Sequence, residues 1–187
     1  MANVDELIQD AQTRMGKSVE HGRTEFNTVR TGRASASLLD RIDVDYYGTP
    51  TPLKQLATIN VPEPRMLTIQ PFDPSSIRAV EKAIQESDLG LTPSNDGKMI
   101  RLPIPQLTEE RRKDLVKVVR RLAEEGRIAV REIRRDALRR LKELVDEGEV
   151  GADEEHRAEE RVQKLTDDHT KQIDELLKHK EAEVMEV

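Results

Sequence analysis

The chain has 187 residues, of which 35% are hydrophobic, 36% charged and 2% aromatic, with no Trp, no Cys and a formal net charge of −6. An apolar share this low and a charged share this high exclude a compact core of large side chains and leave disorder or long amphipathic helices. No apolar run exceeds three residues, so neither a membrane span nor a secretory signal is expected; without Cys there are no disulfides, thiolate metal sites or cysteine nucleophiles.

From the amino end, Val4, Leu7, Ile8, Ala11, Met15, Val19, Gly22, Phe26 and Val29 recur at steps of three and four behind an Asn3/Glu6 capping pair. This predicts one amphipathic helix within residues 1–30. All nine Pro then fall between Pro50 and Pro105. Proline removes a backbone donor and breaks helix interiors, so residues 31–107 are read as an inserted domain of another kind. Ile42 to Tyr46 alternates with period two, and Thr58 to Val61 and Met66 to Gln70 are short β-type runs. Asp73-Pro74 reads as an N-cap with Pro at the first helical position, leading into Ile77, Val80, Ala83 and Ile84. Leu89-Gly90-Leu91 and Met99 to Leu102 supply further strands of a small β/α/β domain.

From Thr108 onward Leu115, Val119, Leu122, Gly126, Ala129, Ile133, Ala137, Leu141 and Leu144 keep a helical period. One helix to about residue 146 would span roughly 55–60 Å, whereas a compact globule of this chain length is only about 40 Å across. Gly148 and Gly151 break it, and Ala158, Val162, Leu165, His169, Ile173, Leu176 and Val184 predict a third helix, capped by Asp153. Three helices with one apolar stripe each bury those stripes against one another. The expected fold class is α+β: an elongated antiparallel three-helix bundle (1–30 and 108–187) carrying the inserted β/α/β domain (31–107). The chain crosses between them at Arg30-Thr31-Gly32-Arg33 and at Pro103-Ile104-Pro105-Gln106. A two-stranded hinge and a fixed elbow both fit these segments.

The overall −6 hides a segregation. Residues 108–145 carry 13 basic and 8 acidic side chains, net +5, while 146–187 carry 6 and 15, net −9. Arg120, Arg127, Arg131 and Arg134 fall within an arc of roughly 60° on the long helix, about 130° from its apolar stripe. Arg112 and Arg135 add to this charge, and Arg outnumbers Lys there ten to three. Planar guanidinium groups suit bidentate phosphate contacts, so the stripe is a candidate RNA interface, with the acidic third helix expected on the other side of the rod. A solvated face with Glu124–Arg127 and Glu132–Arg135 pairs is the alternative. In that alternative the chain is a helical scaffold that binds a protein through its acidic third helix. Few aromatics favour backbone and shape readout over base stacking.

No phosphate-binding or dinucleotide glycine signature and no zinc helix occurs. Asp43 to Gly48 opens like a calcium loop, but Tyr47 lacks the needed oxygen and Lys54 stands where a bidentate Glu belongs. His169 is read as a core-edge residue. No catalysis, metal or cofactor is expected.

Local strings add a resemblance. Arg30-Thr-Gly-Arg33-Ala-Ser, Tyr46-Tyr-Gly-Thr-Pro-Thr-Pro-Leu53, Asp88-Leu-Gly-Leu91, Leu107-Thr-Glu-Glu-Arg-Arg-Lys-Asp-Leu115, Arg134-Arg-Asp136 and Val162-Gln-Lys-Leu-Thr-Asp167 are similar to those of the bacterial ribosome recycling factor family. The resemblance implies a bundle with an inserted domain, shaped rather like a transfer RNA. It further implies a cytoplasmic, non-enzymatic monomer that binds the post-termination bacterial ribosome on large-subunit rRNA near an intersubunit bridge. Elongation factor G, using GTP that it hydrolyses itself, then moves the factor so that the subunits separate. Arg112, Arg131 and Arg134 match the family's RNA contacts, and Arg30 and Arg33 its entry to the second domain. The family often has Asn at the positions of Glu132 and Leu138.

Overall fold

The computed structural model describes residues 3–186; positions 1, 2 and 187 of the expected bundle lie outside them. The described chain forms two compact units, residues 3–30 with 109–186, and residues 31–108.

The first unit is three helices: α1 (Val4–Asn27), α4 (Glu109–Asp146) and α5 (Ala152–Met185), each packed on the other two. At the start of α1 the Glu6 amide donates to the Asn3 side chain at 2.9 Å, with Asp5 and Glu6 in the first turn. The α1 stripe is buried from Val4 to Phe26. On α4 the buried set is Leu115, Val119, Ala123, Val130, Ile133, Ala137 and Leu141. The apolar face is thus wider than the expected stripe, because α4 packs on two helices and Ala123 and Val130 fill its flank. On α5 Thr166 is buried along with Ala158, Val162, His169, Ile173 and Val184. The Thr166 hydroxyl donates to the Val162 carbonyl at 2.9 Å, and His169 Nδ1 lies 2.7 Å from the Leu165 carbonyl oxygen.

At the end of α4, Gly148 takes φ +74°, its amide donates to the Val145 carbonyl, and Glu149 donates to that of Leu144. This is a Schellman motif, and it returns the chain antiparallel. The expected Asp153 cap is corrected: Gly151 occupies the cap position without a side-chain bond, and Asp153 lies in the first turn with Glu154 and Glu155. Glycine tolerates that position at little cost, so the helix starts two residues earlier than the carboxylate alone indicates.

The second unit holds β1 (Asp43–Tyr46) and β2 (Thr49–Pro52) as an antiparallel hairpin, then α2 (Leu53–Leu56). A four-stranded antiparallel sheet in the order β3-β4-β6-β5 follows, formed by β3 (Ala57–Glu63), β4 (Met66–Pro71), β5 (Ser94–Asn95) and β6 (Ile100–Pro103). Helix α3 (Ile77–Glu86) packs against it through Ile77, Val80 and Ile84. The Asp73-Pro74 signal opens a 3-10 turn, Pro74–Ser76, in which Asp73 accepts from the Ser75 amide before α3 begins. Leu89-Gly90-Leu91 is not a strand. Gly90 has φ +67°, and the chain turns there before β5. Leu39, Val44, Leu53, Leu67, Ile69, Ile100 and Leu102 complete an aliphatic core. The Asp43 to Gly48 segment is the hairpin itself: Tyr47 and Gly48 both have positive φ, and Asp45 Oδ1 accepts from the Gly48 amide at 2.8 Å.

Candidate nucleic-acid interface

The arginine stripe is built on α4, whose long run of good helix formers and i, i+3 and i, i+4 ion pairs keeps the side chains at fixed angular spacing. Its six candidate residues differ in what they touch. Arg120 donates through Nε to Glu181 at 2.6 Å. Arg127, half-buried, donates through Nε to Glu124 at 3.0 Å and through Nη1 to Asp174 at 2.6 Å. Arg131 donates to Glu124 at 2.6 Å, and Arg135 pairs with Glu132. Arg134 donates through Nε to the Gln163 amide oxygen at 2.9 Å. Arg112 is half-buried, and its Nε is buried without a hydrogen-bond partner. Among the described residues, carboxylates pair with four of the six and leave Arg112 and Arg134 without one.

These contacts correct the expected charge layout. Helix α5 does not lie on the far side of the basic stripe: Glu181, Asp174 and Gln163 all reach it. Arg120, Arg127 and Arg134 lie on the edge of α4 that faces α5, and each donates a hydrogen bond to it. Both Glu–Arg pairs of the solvated-face alternative are present. Two arginines hold the Glu124 carboxyl below the usual carboxylate range, first through the Arg127 hydrogen bond and then through the charge of Arg131. For Arg127, burial opposes the charge, and the bonds to Glu124 and Asp174 outweigh it and raise its pKa.

The partners on α5 were not among the expected site residues. Their signal was available in spacing: 120, 127 and 134 rise by sevens while 181, 174 and 167 fall by sevens on the antiparallel neighbour. Glu124 is reached twice because 124, 127 and 131 share one face. Leu138 is half-buried and Glu132 exposed.

The two segments joining the units run without helix. Gly32 has φ +71°, and a Cβ there would meet Leu107 Cγ at 3.1 Å. Pro103 is the last residue of β6, opposite Met66, and the Ile104 amide donates to the Arg65 carbonyl at 2.8 Å. The Ala34 amide donates to the Pro64 carbonyl at 2.7 Å, and the Arg65 guanidinium donates to the Gln106 amide oxygen at 2.7 and 2.8 Å. The β3–β4 turn therefore ties Pro103, Ile104 and Gln106 to the sheet unit. Arg30 and Thr31 have no bond of this kind to the turn.

No helix among the described residues is long and apolar enough to cross a membrane. A sequence model of the ribosome recycling factor family matches residues 23–185. The ribosome-recycling factor of Geotalea uraniireducens is 59% identical over 182 residues, covering 97% of this chain and 98% of the relative. That of Rubrobacter xylanophilus is 55% identical over 180 residues, covering 96% and 97%. A solution structure of a ribosome recycling factor matches with TM-score 0.78 and 42% identity over the whole of both chains. A second match, TM-score 0.66 and 47% identity over 98% of this chain and all of the other, is the T. thermophilus factor, described with E. coli elongation factor G bound to the E. coli post-termination complex.

Proposed function

This chain belongs to the ribosome recycling factor family, a family of non-enzymatic translation factors, and from that premise we propose that it binds the post-termination ribosome through α4 and large-subunit rRNA. Elongation factor G and GTP then drive the subunits apart in the cytoplasm. The observation that carries the RNA reading is the uneven pairing of the stripe: Arg134 meets only a neutral amide through Nε, so its terminal amino groups are left for phosphate oxygens, and Arg112 has no carboxylate partner among the described residues. Arg131 and Arg135 are exposed and held by single carboxylates, which phosphates can replace at small cost. Arg120 and Arg127 contribute through the field of the stripe, because each is already paired with a carboxylate of α5.

Residues 1–30 and 108–187 act as the ribosome-bound rod and 31–107 as the part that transmits force. Pro103, Ile104 and Gln106 are bonded to the β3–β4 strands and turn and move with the sheet unit, which places the bending on the Arg30-Thr31 crossing. The chain carries no nucleotide-binding motif, so the energy comes from the partner that hydrolyses GTP.

Arg134→Ala is expected to weaken cosedimentation with purified ribosomes and to lower the salt slope of binding by up to about one, with the circular dichroism spectrum unchanged. Equal binding by both proteins across a salt titration, with the fold intact, contradicts the assignment.

A further inference from the structure

In the Val162–Asp167 segment of α5, Val162 and Thr166 are buried in the seam, and the exposed Gln163 reaches Arg134. The α4–α5 edge carries an antiparallel ladder of arginine–carboxylate rungs at seven-residue steps, Arg120–Glu181 and Arg127–Asp174, each 2.6 Å long. The next rung would join Arg134 to Asp167. It is broken: Asp167 Oδ1 accepts instead from Gln163 Nε2 at 2.8 Å, and Gln163 Oε1 accepts from Arg134 Nε at 2.9 Å. The amide is locked in this orientation, because exchanging its two ends would set an N–H against a donor and an oxygen against a carboxylate.

We propose that Gln163 is a positioning residue of the RNA interface, keeping Arg134 oriented and un-neutralised by standing between it and Asp167. The inference rests on the reading of Arg134 as an RNA contact. The chemistry is that of a spacer. A carboxylate in contact with the guanidinium would cancel its charge and occupy its donors, whereas a neutral carbonyl takes only Nε and leaves both terminal amino groups for a phosphate. The bond to Asp167 in turn fixes the amide that fixes Arg134. Gln163 and Asp167 are exposed, so neither is needed by the core and substitution leaves the bundle able to fold.

The test measures affinity for purified bacterial large ribosomal subunits over a range of salt, for wild type, Arg134→Ala, Gln163→Glu and the double variant, with thermal unfolding of each. Gln163→Glu should weaken binding about tenfold and lower the salt slope by about one, as loss of one phosphate contact does. In the Arg134→Ala background the same change should move affinity by no more than about twofold, because its target is gone. If Arg134→Ala binds like wild type, the RNA reading of Arg134 fails and the spacer role with it. If Arg134→Ala is weakened while Gln163→Glu binds like wild type, or weakens binding equally in both backgrounds, that reading stands and the positioning role of Gln163 is overturned.

Discussion

Arg127 and Arg134 lie two helical turns apart on one edge of α4, and their different partners decide what each can do. Arg127 is held by Glu124 and Asp174, both partly exposed, so Arg127→Ala should cost stability of no more than about 1 kcal/mol and affect RNA affinity less than Arg134→Ala. In the sheet unit Asp73 is a comparable hub, accepting from the Ser75 hydroxyl and amide and from Tyr46 and Tyr47. These bonds, the Ser75 hydroxyl first, hold its carboxyl below the usual range, while the Asp73 hydrogen bond raises the Tyr46 phenol. A depressed carboxyl contributes stability above its unfolded pKa of about 3.9 and loses it as the pH falls through the lower folded value. Acidification through that window should therefore release the Tyr47 ring, and Asp73→Asn should lower the alkaline titration midpoint of Tyr46 in ultraviolet absorbance. An unchanged midpoint would count against the hub. Gly32→Ala places a Cβ at φ +71° against Leu107 and should destabilise the sheet unit by about 1–2 kcal/mol in chemical unfolding.

At the level of elements, burial outweighs charge. Ile173 is 1% exposed on α5 and lies against Gly126 of α4, so Ile173→Ala should cost about 2–5 kcal/mol, against less than about 1 kcal/mol for the adjacent Asp174→Asn. Thermal unfolding of the two variants reads this ordering directly. The same dominance explains what the sequence made legible. Helices α1, α4 and α5 declare themselves because a repeated apolar period over many turns has no competing reading. Strand β2 was invisible because Thr49 to Pro52 holds two prolines, tolerated only since its one partner is β1. Leu89 to Leu91 looked like a strand through two leucines, yet Gly90 at positive φ makes a turn. The α5 partners of Arg120 and Arg127 were legible in the matching seven-residue steps of the two helices, whereas the break at Arg134 was not, because it depends on the side-chain bonds of Gln163.

For the whole molecule, the net −6 is a poor guide to partners. A +5 segment beside a −9 segment gives a surface whose basic side is paired with carboxylates at Arg120, Arg127, Arg131 and Arg135 and, among the described residues, lacks such a pair at Arg134 and Arg112. Binding should accordingly be salt-sensitive with a modest slope, set by the few unpaired guanidinium groups rather than by all ten arginines of the helix. If the basic edge of α4 anchors the protein on the ribosome while elongation factor G supplies the work, light scattering of post-termination ribosomes with elongation factor G and GTP, comparing wild type with Arg134→Ala, reads it most directly. Rapid subunit splitting by the wild type, and slower splitting by the variant that is recovered at higher protein concentration, is the expected result. No splitting by the wild type, or identical splitting by both proteins at limiting concentration, would contradict it.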